Sequence, residues 1–446
     1  MEVFFHMLKG DVKLILFWFA ILVGLESYLF LNIHYFGVSI HPSRLIQIFI
    51  LPFVIYKIFL KIELNKIVKK YIFYIFYFIF MYLFISIIQT IFDKTGFYLF
   101  LFFKAFSLYL YQVIFFIIFP VLLIKNINHL IIFLINLKFV FLFAIVLGFI
   151  DLCIRVFFDY DLIPRSLLDQ RDVGPRFHGL FGEPRDAAVV LGFAIYLEFL
   201  LGYVREIPIR KIFKSIYFYC FLLIMTQSLS MALGFALSGG FVFLFLVRGL
   251  LRRLLLILVV MILLYVFTIT SYRIGIYILE LDNLITAIAI GNYQSIPKVF
   301  VGQMPNILPF SYFYERLANG HLWSFLFGSG YSHVVVMNML SGYWVGESVN
   351  THANISRWVI DFGLVGSSIL LYIMISPILI VKNYLKGNPY SYWLAISGFF
   401  VIGLVLSHRS YISFAVVGIT LSFLNLISLN FIGKKTKKPL PLKSAL

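Results

Sequence analysis

The chain has 446 residues, 62% of them hydrophobic and 12% charged. A water-soluble domain is about half apolar and about a quarter charged, so this composition excludes an ordinary soluble enzyme. The formal net charge is +17, from 36 Lys and Arg against 19 Asp and Glu; much of the excess sits in short turns between apolar runs, where it reads as the positive-inside bias of a membrane protein and not as nucleic-acid binding.

A hydrocarbon core of ~30 Å takes roughly 20 apolar residues per helical crossing. The runs are continuously apolar, without the alternation of a β-barrel, so the fold class is an all-α integral membrane protein. About twelve transmembrane helices are expected, at 13–32, 44–60, 71–91, 98–124, 130–153, 186–203, 212–228, 231–247, 254–274, 354–381, 391–407 and 411–428. The first is too long for a signal-peptide core and lacks a small-residue cleavage site, so it reads as a retained helix. The polar bend Gln227-Ser228-Leu229-Ser230 reads as either a tight turn or a re-entrant loop. Residues 1–446 form a single polytopic domain with two long loops, 154–185 and 275–353, the second between helices 9 and 10.

Orientation follows from the turns. Lys61, Lys66, Lys69 and Lys70, then Arg205, Arg210, Lys211 and Lys214, then Arg248, Arg252 and Arg253, and finally the basic tail fall on one side when both termini are cytoplasmic. The two cysteines, Cys153 and Cys220, form no C-x-x-C, and no ligand cluster with metal spacing is present, so neither a metal nor another cofactor is expected.

The alternate loops carry an anomaly. They hold Arg155, Arg165, Arg171, Arg176, Arg185, Arg273, Arg316, Arg357 and Arg409 but few lysines, Lys94 and Lys298 among them. Arginine offers a fixed charge and a planar fork that grips phosphate oxygens bidentately. Nine of them on the face that disfavours cations point to an anionic, phosphate-bearing ligand. The plainer account pairs each with Asp159, Asp161, Asp169, Asp172 or Asp186, or with lipid headgroups.

Two segments concentrate the chemistry. In Arg176-Phe177-His178-Gly179-Leu180-Phe181-Gly182-Glu183-Pro184-Arg185-Asp186, Pro184 suits a first helical turn. Glu183 then sits at the cap, where the helix dipole keeps it ionised, as a base, as an orienter of an arginine, or as a cap alone. Gly179 and Gly182 let the backbone approach a ligand. In Asn350-Thr351-His352-Ala353-Asn354-Ile355-Ser356-Arg357-Trp358, leading to Asp361-Phe362-Gly363-Leu364-Val365-Gly366, eleven residues separate His352 from Gly363. On one continuous helix that is almost three turns, placing both on the face that also carries Ser356, Val359 and Gly366. His352 would lie at a helix N-terminus, a natural anion site. Between these segments come Arg316 and the turn Phe327-Gly328-Ser329-Gly330-Tyr331, with room for one or two helices from about 306 to 338. Charges inside the spans are scarce: Glu26, Lys104, Lys138 and Glu198.

In this order, Arg176 with Gly179-Leu180-Phe181-Gly182-Glu183-Pro184, then Thr226-Gln227-Ser228-Leu229-Ser230 with Gly234, then Arg316 with Gly328-Ser329-Gly330, then Thr351-His352 and Gly363-Leu364-Val365-Gly366, the chain resembles the O-antigen polymerase and ligase superfamily over about 176–370. The resemblance implies a GT-C-like polytopic glycosyltransferase of the bacterial inner membrane, acting at the periplasmic face on undecaprenyl-diphosphate-linked oligosaccharide. It implies a polymerase of O-antigen or a related surface polysaccharide, working beside a chain-length regulator. Ala353 after the histidine departs from the ligase pattern. A ligase acting on the lipid A core, or a flippase for the same lipid-linked sugar, are the alternative activities. Under this resemblance His352 is the base, Glu183 its substitute, and Arg176 and Arg316 the other catalytic residues. Arg185, Arg273, Arg357, Arg409 and His178 complete the substrate site.

Overall fold

The computed structural model describes residues 12–26, 33–35, 38–40, 44, 46, 64–92, 97–160, 162–163, 176–181, 183–270, 272–290, 295–297, 300, 304–340, 354–408 and 410–434. The described part is helical, apart from a ribbon in which Ile33–Tyr35 pairs antiparallel with Val38–Ile40. The helices are α1 (Val12–Leu25), α2 (Lys66–Phe92), α3 (Phe97–Val113), α4 (Phe119–Leu123), α5 (Ile127–Phe158), α6 (Pro184–Val204), α7 (Ile209–Met225), α8 (Leu229–Phe245) and α9 (Leu250–Thr270). They continue as α10 (Tyr272–Leu279), α11 (Leu281–Ala289), α12 (Met304–Ala318), α13 (Leu322–Phe327), α14 (His333–Leu340), α15 (Asn354–Asp361), α16 (Gly363–Tyr384), α17 (Tyr390–Ser407) and α18 (Ile412–Lys434). Among the described residues, six stretches are long and apolar enough to cross a membrane: α2, Tyr98–Leu123, α5, α6, α16 and α17. Shorter apolar helices lie at Lys13–Leu25, Met231–Phe245 and Ile412–Ser428. The span expected at 44–60 lies outside the described residues, apart from its edge.

Helix α6 is the axis of the bundle, buried almost without a break from Ala187 to Gly202. A helix apolar all round suits that place. Helix α2 faces lipid instead: Phe73, Tyr77, Phe80, Phe84 and Ile91 are exposed at alternating steps of three, four and seven, while Tyr71, Ile75, Phe78, Tyr82 and Ser86 are buried. Between α3 and α4 the chain is wound as a π segment, Ile114–Ile118, and its Phe116 carbonyl meets Gly418 of α18. Helices α8 and α17 approach until a Cβ on Gly403 would stand 2.4 Å from the Gly234 carbonyl oxygen, the close backbone contact that small residues permit inside a membrane.

Two expectations need correction. The span expected at 354–381 is not one helix: α15 stops at Asp361, and Gly363, at φ +65°, turns the chain into α16. A left-handed residue ends a helix, so face counting from His352 to Gly363 does not hold across that turn. The stretch from about 306 to 338 holds parts of three helices, α12, α13 and α14, because Gly320 and Gly328, both at φ +75°, interrupt it. The bend near Gln227, left open in the sequence, is a tight turn between α7 and α8.

Gly418→Ala is expected to lower stability by about 1–3 kcal/mol, since its Cβ would fall 1.9 Å from a backbone oxygen that cannot move away. Gly240→Ala, with nothing within 4 Å of its Cβ, is expected to stay within about 0.5 kcal/mol of the wild type. Thermal unfolding of both variants in detergent makes the comparison.

Candidate functional site

Hydrogen bonds between distant segments show which helix ends share a side. Phe177 N–H donates to Met225 O, Asn354 Nδ2 to Val405 O, Tyr98 Oη to Ser329 O, and Asp186 pairs with His408. These join the 151–186, 225–229, 304–340, 354–363 and 404–411 regions at one end. At the other end Asn65 N–H donates to the Asn425 side chain and Tyr390 Oη to Ile207 O. The basic turns around Lys66, Arg210 and Lys386 belong to that second end. Arg176, His178, Glu183, Arg185, Arg316 and Arg357 are all at the first.

Two polar networks are built there. In the first, Asp151 and Arg155 stand one turn apart on α5 and are bonded at 3.1 Å. Arg155 Nη2 also lies 2.9 Å from His178 Nε2, while His178 Nδ1 lies 2.9 Å from the Gly179 carbonyl. Nδ1 therefore carries the hydrogen and Nε2 accepts from the guanidinium. The second oxygen of Asp151 accepts the N–H groups of Leu162 and Ile163 at 2.8 Å each. Arg155 Nη1 donates to the carbonyl of Arg176 at 3.4 Å, which anchors the start of the Arg176–Asp186 segment. Gly179, at φ +59°, packs on α5 so closely that a Cβ on Gly148 would meet its Cα at 2.3 Å. The freedom of Gly179 thus serves helix packing.

The same segment starts α6. Glu183 is the N-cap residue and Pro184 occupies the first turn. The Glu183 carboxylate makes no capping bond and instead pairs with Arg185. Asp186, in the first turn, accepts from His408 Nε2 at 2.6 Å. The plainer account of the sequence offered Asp186 to an arginine; its partner is a histidine.

The second network centres on Asp361, which is fully buried. It accepts the N–H of Ser332 at 3.0 Å and of Val334 at 2.8 Å, and Arg357 Nε at 3.1 Å. The Arg357 guanidinium lies 5.5 Å from the Tyr109 ring centroid, in range of a cation–π contact. Arg316 Nη1 donates to Ile360 O at 3.1 Å and Nη2 to Ser329 Oγ at 3.0 Å. Burial lowers the Arg316 pKa from its ordinary value, with the Asp361 charge opposing. Gly328 and Gly363 meet backbone to backbone, and a Cβ on Gly328 would fall 2.3 Å from Asp361 O. Tyr82 Oη donates to Phe362 O at 2.5 Å, and Tyr331 N–H to Ser86 Oγ at 2.8 Å. His333 stacks edge-on against Tyr98, and its buried Nδ1 has no partner among the described residues. Burial, reinforced by the Arg316 charge, pushes the His333 pKa down to about 3.

The described contacts therefore put Arg176 in the first network and Arg316 in the second. His352 and Arg409 lie outside the described residues, as do Gly182, Arg165 and Arg171, and Arg273 is placed only as part of α10. Asp151, Asp361, Ser329, Ser332, His333 and His408 also belong to these networks, although the sequence reading assigned none of them a role. The i, i+4 spacings of Asp151 with Arg155 and Arg357 with Asp361 were a usable signal. Away from this end, Glu198 pairs with Lys138 at 2.7 Å and accepts from Tyr219 Oη. An apolar cavity lined by Phe78, Ile79, Tyr109, Leu370 and Phe414 lies within the bundle. No group of three or more His, Cys, Asp or Glu able to hold a metal ion occurs among the described residues. No family model, curated protein or solved structure matches this chain.

Arg357→Ala leaves the buried Asp361 charge without its cation, and a loss of about 3–5 kcal/mol is expected, read as a lower midpoint of thermal unfolding. Arg185→Ala, at a part-exposed pair, is expected to cost under about 1 kcal/mol. His333 has a folded pKa below its unfolded value of 6.5, so the unfolded chain takes up more protons between those limits and stability falls as pH drops below about 6.5. Hydrogen exchange in α14 at pH 7 and pH 5 is expected to show this weakening in the wild type and a smaller one in His333→Gln.

Proposed function

We propose that this chain is a glycosyltransferase of the bacterial inner membrane that joins undecaprenyl-diphosphate-linked oligosaccharide repeats into O-antigen or a related surface polysaccharide. One observation supports it most: among the residues that carry the resemblance, Arg176, Glu183, Arg316 and Ser329 lie at one end of the bundle, opposite the basic turns. With positive-inside orientation that end is periplasmic, both termini are cytoplasmic, and the apolar runs amount to about twelve spans.

The reaction needs an anion site and a base. Arg176 and Arg185 grip the diphosphate, whose developing charge guanidinium groups stabilise as it leaves. Arg316 and Arg357, already bonded to backbone oxygens and to Asp361, are the other guanidinium groups assigned to the substrate, with Arg273 and Arg409 as further contacts. His178, engaged by Arg155, fixes the segment that bears Arg176. A sugar hydroxyl is a poor nucleophile at neutral pH and gains from a positioned proton acceptor. The sequence nominates His352 for that role, with Glu183 as the substitute. Attack opposite the leaving diphosphate inverts the anomeric carbon. A chain-length regulator is the expected working partner.

Purified protein in vesicles with lipid-linked repeat is expected to yield a ladder of polymers. Arg176→Ala is expected to slow chain growth on the order of 10²-fold at normal expression, with partial recovery in Arg176→Lys. Translocation without polymer would identify a flippase instead, and transfer only to a lipid A core acceptor would identify a ligase.

A further inference from the structure

Helix α17 ends at Ser407, and His408 follows in extended conformation with its N–H bonded to Leu404 O. The imidazole is buried, 5% exposed. Its Nε2 lies 2.6 Å from Asp186 Oδ1, and its Nδ1 is buried with no partner among the described residues. A carboxylate that holds one imidazole nitrogen selects the tautomer in which the other bears the lone pair. Here Nε2 carries the hydrogen and Nδ1 is a buried acceptor without a partner among the described residues.

Two helix ends meet at this pair: His408 follows the C-terminal end of α17 and Asp186 lies in the first turn of α6. The adjacent cation, Arg185, is neutralised by Glu183. A purely structural histidine would gain nothing from an orphaned nitrogen, since a buried acceptor without a partner is destabilising.

We propose that His408 is the proton acceptor of this site, oriented by Asp186. The inference rests on the transferase reading and moves the base role from His352 to His408. In the step, the acceptor hydroxyl oxygen forms a bond to the anomeric carbon and the bond from that carbon to the diphosphate breaks. The bonding pair leaves on the diphosphate, and the hydroxyl proton passes to His408 Nδ1 and afterwards to water. Asp186 is a positioning residue that holds Nε2.

The test uses the full-length protein reconstituted with lipid-linked repeat. His408→Gln keeps an amide donor for Asp186 but has no base, so turnover is expected to fall at least about 10²-fold with unfolding temperature and substrate binding unchanged. Added imidazole is expected to restore part of the rate in His408→Ala. Asp186→Asn is expected to lower turnover with KM unchanged. Wild-type turnover in His408→Gln, or failure of imidazole to restore any rate in His408→Ala, overturns the assignment. A wild-type protein that makes no polymer defeats the transferase reading, and the inference with it.

Discussion

The carboxylate of Asp361 has no water to turn to, and the polar end of the molecule is organised by that fact. An ionised carboxylate removed from solvent survives only with several donors around it. Asp361 finds them on two segments: the N–H groups of Ser332 and Val334, and the guanidinium of Arg357 one turn back on α15. The turn from Gly328 to Ser332 is thereby tied to the break between α15 and α16. Arg316 bonds the carbonyl of the preceding residue, Ile360, and the hydroxyl of Ser329, so the second arginine reinforces the same junction. The glycines are consequences of this closeness. Gly328 and Gly363 stand where any Cβ would collide with the other backbone.

The first network repeats the logic with different parts. Asp151 is satisfied by one guanidinium and two backbone N–H groups, and it fixes the chain leaving α5. Arg155 then reaches the carbonyl of Arg176 and the ring of His178. Paired, directional charges of this kind are pre-arranged dipoles in a medium where reorganisation is small, the condition under which fixed charge acts most strongly on a reacting group.

Apolar length was legible in the sequence: the ends of α2, α5, α6, α17 and their neighbours fall within a few residues of the expected spans. Which face each span turns inward was not. Helix α2 exposes Phe80 and Phe84 and buries Phe78 and Tyr82, residues that hydropathy does not separate, because lipid and protein interior are alike apolar. The break at Gly363 was hidden for a related reason, since both halves read as helix and only the positive φ divides them. In the candidate site, the cap at Glu183 and Pro184 followed from local rules. The pairing of Asp186 with His408, 222 residues apart, had no local signature. The arginines were conspicuous in sequence, but Asp151 and Asp361, which hold two of them, were read past because each lies within or beside an apolar run.

The contacts of α2 with the outer segments span most of the chain. Tyr82 and Ser86 find Phe362 and Tyr331 across 280 and 245 residues. Synthesis runs from the N-terminus, so α2 and α3 emerge into lipid long before the segment from Gly328 to Gly363 exists. The hydroxyl of Ser86 already has a local partner in Tyr82 O, which lets the helix wait in the bilayer without an exposed donor. Closure of the Asp361 junction is therefore a late event in biogenesis, reached only after most of the chain has been made.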